Sequence, residues 1–361
     1  MSKKDIPELH IGKRVISLVQ PTYFIADIAA NHDGSLARAI ELIRLAAAAG
    51  ADCVKFQHFR AKQIVSRRGF EDLGGKFDHQ SKWEKSVFEV YEEASLDWSW
   101  TEVLKAEADK SGVEFMTSPY DFGAVDHVDP FVTAFKIGSG DITWLEIIRH
   151  IASKNKPVIL ATGASTLQDV EAAVAVLRSE SVPFSILQCN TNYTGHDSNV
   201  SHSNLNVIDA YLELFPDAVI GLSDHTPGDV TVLGAIAKGA RIIEKHFTDD
   251  NSRSGPDHLF SMNPQNWKEM VQRSRLLESA LGDGAKKVED NELQTVIVQR
   301  RSVRFDKKLQ TGHVVTHDDL RIVRPAAAGS FSPENVDSII GRRLLVDVDE
   351  DQAVSESNFA N

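Results

Sequence analysis

Cysteine is scarce: Cys53 and Cys189 are the only two among 361 residues. Two thiols cannot build a disulfide framework, which excludes a stapled extracellular scaffold and fits a reducing, cytoplasmic setting. An excess of positive charge is missing as well. With 39 Lys and Arg against 52 Asp and Glu, the formal charge is −13, which argues against a general nucleic-acid or anionic-membrane surface. That total is still compatible with a local basic pocket for a small anionic substrate. No window supplies the apolar run that crosses a bilayer. The opening stretch MSKKDIPELHIGKRVISLVQ carries lysines without a continuous apolar segment, so neither a leader nor an anchor is expected. Internal repeats, low-complexity tracts and a glycine-rich dinucleotide fingerprint are absent too.

What is present is an ordinary globular composition, 42% hydrophobic and 25% charged. The chain is longer than one core usually organises, so a large domain and a smaller one are expected. Eight β-rich runs, YFIADI, DCVKFQ, EFMTS, AFKIG, PVILAT, FSILQC, AVIGLS and RIIEK, alternate with helical patterns. One such pattern is Leu36, Ile40, Ile43 and Ala47, closed by Gly50, with Asp33 or Ser35 as its cap. A second is Leu167, Val170, Val174 and Leu177, opened by Ser165 and Thr166. A third places Trp267, Val271, Leu277 and Leu281 on one face. Eight strand-then-helix units predict an α/β fold, a (β/α)8 TIM barrel over residues 1–282, with its chemistry at the C-terminal ends of the strands. A doubly wound open sheet is the competing topology. Residues 283–296 read as a polar linker. Residues 297–361 read as a small domain of short strands and turns, too short for much core and so expected to dock on something.

Strand alternation locates the chemistry. In IIEKHF, Ile242, Glu244 and His246 share one face; in IGLSDHTPG, so do Gly221, Ser223 and His225. Neighbouring strands would then aim His225 and His246 at one barrel mouth. Two imidazoles so placed suit an open, six-coordinate divalent cation such as Mn2+ or Mg2+, rather than a closed zinc site. The same alternation pairs Lys55 with Gln57, and FKIGSGDIT ends a strand with Lys136 followed by Ser139 and Asp141. The lysines would either pair with Asp27 or Glu244 and do nothing more, or neutralise a phosphate and a carboxylate on one ligand. Ser139, Thr162, Gly163 and Ser223 add short donors at strand ends, and Asn190, Asn192 and Tyr193 offer groups for a polyhydroxylated substrate. His32 in NHDGS is as well explained by a structural role.

Together IADIAANHDGS, GADCVKFQ, FKIGSGDIT, PVILATGAS, GLSDHTPG and IIEKHFTDDNSRSGPDH resemble the sialic acid (N-acetylneuraminate) synthase family. The segments RRSVRF, GHVVTHDDLRIVRP and IIGRRLLVDVDEDQAV are similar to that family's antifreeze-like (β-clip) domain. The resemblance implies a barrel enzyme that joins phosphoenolpyruvate to an open-chain N-acetylated hexosamine, giving a nonulosonic acid and phosphate with the help of Mn2+, Mg2+ or Co2+. It implies His225 and His246 as metal ligands, and Lys55, Lys136, Ser139 and Ser223 as phosphoenolpyruvate contacts. Gln57, Tyr193 and Asp257 match positions that meet the sugar. Arg324 in IVRP matches an arginine that reaches a partner subunit's site, which implies a domain-swapped homodimer. Asp27 or Glu244 would handle the attacking water. Asp27 and Asp141 stand where the family usually has Glu, and the acceptor is left open between N-acetylmannosamine and a diacetamido-trideoxyhexose.

Two other readings compete. A metal-independent aldolase would use Lys136 as an imine with pyruvate. An ice-binding surface on the small domain is disfavoured by Arg300, Arg301, Arg324, Arg342 and Arg343.

Overall fold

The computed structural model describes residues 6–76, 80–81 and 83–359. The first residues of the stretch read for a leader, and the last two of the C-terminal segment, lie outside them. The chain divides into two compact units, Met1–Gly282 and Asp283–Asn361.

In the first unit eight parallel strands run in chain order: β1 (Tyr23–Asp27), β2 (Cys53–His58), β3 (Glu114–Pro119), β4 (Phe135–Ile137), β5 (Val158–Ala161), β6 (Phe184–Cys189), β7 (Val219–Asp224) and β8 (Ile242–His246). They are ordered β3-β2-β1-β8-β7-β6-β5-β4, every neighbour parallel. The end strands β3 and β4 lie alongside each other, so the sheet wraps on itself as a (β/α)8 barrel. Side chains sort by parity into two cores. Phe24, Ala26, Val54, Phe56, Leu222 and Ile243 point outward to the helices. Tyr23, Ile25, Cys53, Met116, Leu187 and Ile242 point into the lumen. A hairpin of Leu9–Ile11 and Arg14–Ile16 adds Leu9, Ile11 and Ile16 to that inner cluster. Gly221 is required by this packing, since a Cβ there would sit 2.4 Å from both the Ile242 carbonyl oxygen and Leu187.

Helices follow the strands: α1 (Leu36–Ala48), α2 (Thr101–Ser111), α3 (Phe122–Val128), α4 (Leu145–Ala152), α5 (Leu167–Ser179), α6 (Val207–Leu214), α7 (Val230–Ala237) and α8 (Pro264–Leu281). Ser35, rather than Asp33, caps α1, accepting from Arg38 N, and Thr166 with Asp169 forms a reciprocal capping box on α5; such caps contribute about 1 kcal/mol each. The buried stripes differ from those expected. Helix α1 buries Ala39, Leu42, Ile43 and Ala46, while Leu167 and Leu281 are 46% and 41% exposed. Small residues such as Ala39, Ala46 and Ala173 let these helices approach the sheet, and they shift the contact stripe away from the larger apolar side chains at the helix ends.

Between β2 and α2 lies an insertion with three short helices, Ala61–Ile64, Arg67–Asp72 and Val87–Ala94. It forms its own apolar cluster around Ala61, Val65, Val87 and Phe88, with Ile64, Trp83 and Tyr91 packed against it.

The second unit holds a helix at Leu293–Gln299, overlapping the end of the expected linker. Strands β9 (Ser302–Phe305) and β10 (Leu320–Val323) pair antiparallel, and isolated bridges join the remaining short segments. Despite its size it has a core of its own, including Val303, Phe305, Leu309, Val315, Ile339 and Leu344.

Candidate active site

Followed upward, most inward-facing columns of the barrel change from apolar to polar. Tyr23 and Ile25 lead to Asp27, Cys53 to Lys55 and Gln57, and Ile242 to Glu244 and His246. The ladders set Asp27 opposite both Lys55 and His246, and Glu244 opposite Ser223. Lys55, Lys136, Asp27 and Glu244 are all 4% exposed or less. At such burial a charge persists only with close partners. Lys55 Nζ lies 2.6 Å from Asp27 Oδ2 and 3.2 Å from Glu244 Oε1, and Lys136 Nζ lies 3.3 Å from Glu244 Oε2. Lys136 also donates to the Ile137 carbonyl oxygen at 3.0 Å.

Burial works against every charge here, and the pairings oppose it. It raises the Asp27 carboxyl, with Lys55 pulling the other way. In Glu244, burial is outweighed by Lys136, Lys55 and a hydrogen bond from Ser223, leaving the carboxyl at about 2. In Lys55 the depressing effect of burial is outweighed by Asp27 and Glu244, so its ammonium is held above the usual range. Two lysine side chains therefore face two acidic side chains across this layer.

His225 and His246 sit beside this layer with ring centroids 5.4 Å apart. Burial pushes both imidazoles down to about 3, helped by His246 in the first case and Lys55 in the second. They are neutral nitrogen donors. His225 Nδ1 lies 3.0 Å from the Asn190 carbonyl oxygen, which accepts from that nitrogen and leaves Nε2 as the donor atom. His246 Nδ1 is buried without a hydrogen-bond partner among the described residues, 3.9 Å from Asp257 Oδ2. Glu244 Oε2 is likewise without a hydrogen bond. No group of three or more His, Cys, Asp or Glu is arranged as a cage among the described residues. A pair of neutral imidazoles with an orphaned nitrogen and a nearby carboxylate fits a divalent cation whose other positions are filled by small-molecule oxygens.

A second buried ion pair backs the histidines. Asp224 and Lys245 each precede one of them and point the opposite way, with Lys245 Nζ 2.6 Å from Asp224 Oδ2 and 2.7 Å from the Thr226 carbonyl oxygen. Asp224 also accepts from Thr226 N and from the Thr231 hydroxyl. This cross-strand clasp fixes the register of β7 and β8 where their histidines emerge.

The polar layer encloses about 40 Å3 and opens into a chamber of about 340 Å3. Gln57, Tyr120, Gly138, Ser139, Tyr193 and His246 line both, making one continuous cleft. Asp27, Lys55, Lys136, Ser223, His225 and Glu244 line the inner part, and Asp141 and Asp257 the outer. Ser139 Oγ accepts from Gly163 N at 2.9 Å, and a Cβ on Gly163 would meet Thr191 at 2.4 Å. Burial raises the Asp141 carboxyl to about 6, against Lys136, and the Asp257 carboxyl to about 7, against a hydrogen bond from Ala30 N.

Two expected contacts lie elsewhere. Thr162 is turned out of the lumen: its hydroxyl donates to the Leu187 carbonyl oxygen and accepts from Tyr211, and Ala161 lines the cleft in its stead. Asn192 spends its side-chain oxygen on Thr194 and Asn199 within its own loop. Arg324 belongs to the second unit, where it is exposed and donates to the Gln299 carbonyl oxygen at 2.6 Å. His32 is buried, with Nδ1 accepting from Gly34 N, a structural role. Ser118 and Tyr120, which also line the cleft, were not singled out in the sequence. Alternation along EFMTSPY from inward Met116 was the signal that pointed to both.

Residues 42–286 match the NeuB family, and residues 300–360 match the SAF domain. An N,N'-diacetyllegionaminic acid synthase from Campylobacter jejuni is 33% identical over 345 residues, 94% of this chain and 100% of that protein. The N-acetylneuraminate-9-phosphate synthase of Homo sapiens is 31% identical over 342 residues, 94% of this chain and 93% of that one. The crystal structure of an N-acetylneuraminic acid synthetase from Leptospira borgpetersenii, in complex with citrate, superposes with a TM-score of 0.71 at 26% identity, covering 81% of this chain and 95% of that one. With its barrel and its small domain each matched in place, the chain belongs to the NeuB family and carries a SAF, or antifreeze-like, domain at its C-terminal end.

Proposed function

We propose that this protein condenses phosphoenolpyruvate with the open-chain aldehyde of an N-acetylated hexosamine, releasing phosphate and a nonulosonic acid. The observation that carries this reading is the pairing of two buried lysines with two carboxylates directly beside two neutral histidines. The relatives named as nonulosonic acid synthases support it.

In this reading C3 of phosphoenolpyruvate forms the new bond to the aldehyde carbon, whose oxygen takes up a proton. Water adds at C2, and the C2–O bond to phosphate then breaks to leave the 2-keto acid. Lys55 and Lys136, with Ser139 and Ser223, hold the phosphate and carboxylate and orient C3 toward the aldehyde. Asp27 is committed to Lys55, Gln57 and the Ala29 amide. Glu244, ionised and with one oxygen lacking a hydrogen bond, is the better group to orient the attacking water. His225 and His246 would hold a divalent cation, Mn2+ with Mg2+ or Co2+ as substitutes, which supplies Lewis acidity at the aldehyde oxygen. Such an ion also answers a charge deficit, because the chain's own charges cancel in this layer before any anionic substrate enters.

Gln57, Tyr193, Asp141 and Asp257 face the acceptor. The small domain of a second copy would cover the cleft and deliver Arg324, making the enzyme a domain-swapped homodimer. Two buried, unbridged cysteines and the lack of a helix long and apolar enough to cross a membrane, among the described residues, accord with a cytoplasmic enzyme. An imine at Lys136 is disfavoured, since its Nζ lies 3.3 Å from Glu244 Oε2 in a buried ion pair that imine formation would have to break.

The test is phosphate release from phosphoenolpyruvate and acetamido sugars before and after chelation. Loss of turnover on metal removal, restored by Mn2+, is expected. Keto-acid formation from pyruvate by the metal-free protein would overturn the reading.

A further inference from the structure

The two buried thiols have different surroundings in the barrel lumen. Cys53 lies in the apolar inner cluster, where its weak S–H donor faces the Val54 carbonyl oxygen at 3.5 Å. Cys189 closes β6 at the polar end, paired in register with Ser223. Its sulfur shares hydrogen bonds with the hydroxyls of Ser139 and Ser223, and it lies 3.8 Å from His225 Nδ1. It is buried, and no step of the reaction above uses it. Yet it touches both serines assigned to phosphoenolpyruvate and one of the two histidines assigned to the cation.

We propose that Cys189 is a positioning residue, whose thiol presets the Ser139 and Ser223 hydroxyls for phosphoenolpyruvate and braces the His225 ring. The inference rests on the phosphoenolpyruvate-dependent reading, which assigns those groups their ligands. Donors and acceptors around the sulfur sort in one direction. Ser139 Oγ already accepts from Gly163 N at 2.9 Å, so its own proton is the one that faces the sulfur. Ser223 gives its proton to Glu244, a carboxylate that can only accept, so the Ser223 oxygen takes the S–H of Cys189. The His225 N–H, directed at the Asn190 carbonyl oxygen, has the sulfur as a second and longer acceptor. One thiol therefore gives one hydrogen bond and receives two. Gly163 makes room for it, since a Cβ there would stand 3.0 Å from both the Cys189 sulfur and Ser139 Oγ. The chain of contacts ends at Glu244, whose buried Oε2 has no hydrogen bond and borders the inner cavity. Without the thiol, each serine could turn to another staggered rotamer and would be set only when the ligand arrives.

The test uses the full-length protein and two substitutions: Cys189→Val keeps the volume and removes the hydrogen bonds, whereas Cys189→Ser keeps a hydrogen-bonding group. Phosphoenolpyruvate binding is read by calorimetry on the metal-free protein, and Mn2+ binding by electron paramagnetic resonance. Steady-state kinetics then give the KM of each substrate, with whichever of N-acetylmannosamine or a diacetamido-trideoxyhexose the unaltered protein turns over. Cys189→Val is expected to raise the phosphoenolpyruvate Kd and KM by about tenfold and to weaken Mn2+ binding by about tenfold, with the acceptor KM within about twofold. Cys189→Ser should stay within about threefold of the unaltered protein on every reading. If Cys189→Val does not melt cooperatively, Cys189→Ala supplies the same comparison. Unchanged phosphoenolpyruvate affinity without the thiol overturns the inference, because the sulfur then only fills space. An equal loss in Cys189→Ser overturns it too, as does an acceptor KM that rises in step with that of phosphoenolpyruvate, the mark of a cleft loosened as a whole. Each of these leaves the reaction standing. Failure of the unaltered protein to release phosphate from phosphoenolpyruvate with any acceptor overturns the reaction, and the inference with it.

Discussion

The lower and upper halves of the barrel lumen are built on the same strands, two residues apart, and obey opposite rules. Below, Ile25, Met116, Ile159, Leu187 and Ile242 fill the lumen with apolar volume. Their contribution is burial, at about 25 cal/mol for each Å2 removed from water. Above, Asp27, Lys55, Lys136 and Glu244 are nearly as buried, yet each charge there is tolerated only through its partners. The lesson is that burial alone does not distinguish a core from a site. What distinguishes them is whether charged and unpartnered atoms adjoin open volume. The apolar layer holds no charge and packs its one phenol, Tyr23, away from the cleft, whereas the polar layer leaves Glu244 Oε2 and His246 Nδ1 without hydrogen bonds beside open volume.

This contrast is best broken at Lys55. Lys55→Met strips two carboxylates of their shared cation, and it should lower turnover by about 10³-fold or more while destabilising the fold by about 3–5 kcal/mol. Steady-state kinetics and denaturant unfolding read the two effects. Ile159→Ala, one layer down, should cost about 2–5 kcal/mol of stability and leave kcat within about twofold at temperatures where the variant is folded. A large fall in kcat there would erase the distinction between the halves. Asp224→Asn sharpens it from behind. Removing one partner of the clasp that registers β7 and β8 should weaken Mn2+ binding about tenfold, read by titration of the metal-free protein, with a smaller change in the phosphoenolpyruvate KM. The smallest effect belongs to Asp141, whose carboxyl burial lifts to about 6. Below that pH it is protonated, and above it is ionised and accepts from the acceptor's N–H groups. The apparent acceptor KM should therefore fall severalfold as pH rises through 6, and Asp141→Asn should flatten that inflection.

Much of this was legible in the sequence. Buried parallel strands are continuous apolar runs, so all eight announced themselves. Two-residue alternation then carried Lys55, Gln57, Ser223, His225, Glu244 and His246 to the right face. The same alternation, applied strictly, would have turned Thr162 outward, since it lies between Ala161, which lines the cleft, and Gly163. It would also have found Ser118 and Tyr120. The helix stripes were harder to read, because Leu167 and Leu281 are apolar yet exposed while alanines make the contact. The insertion's contribution to the cleft was not legible at all. Ile64, Trp83 and Tyr91 sit in an insertion with no sustained period, and only tertiary packing brings them to the cleft.

The central claim is that His225 and His246 hold one divalent cation beside the lysine pair. It is tested most directly by Mn2+ titration of the metal-free protein followed by electron paramagnetic resonance, with melting temperature recorded alongside. The account predicts one tightly held ion per barrel. That ion should be lost in both His225→Ala and His246→Ala, with each variant still melting cooperatively as a folded protein. Undiminished Mn2+ binding in the double variant would contradict it.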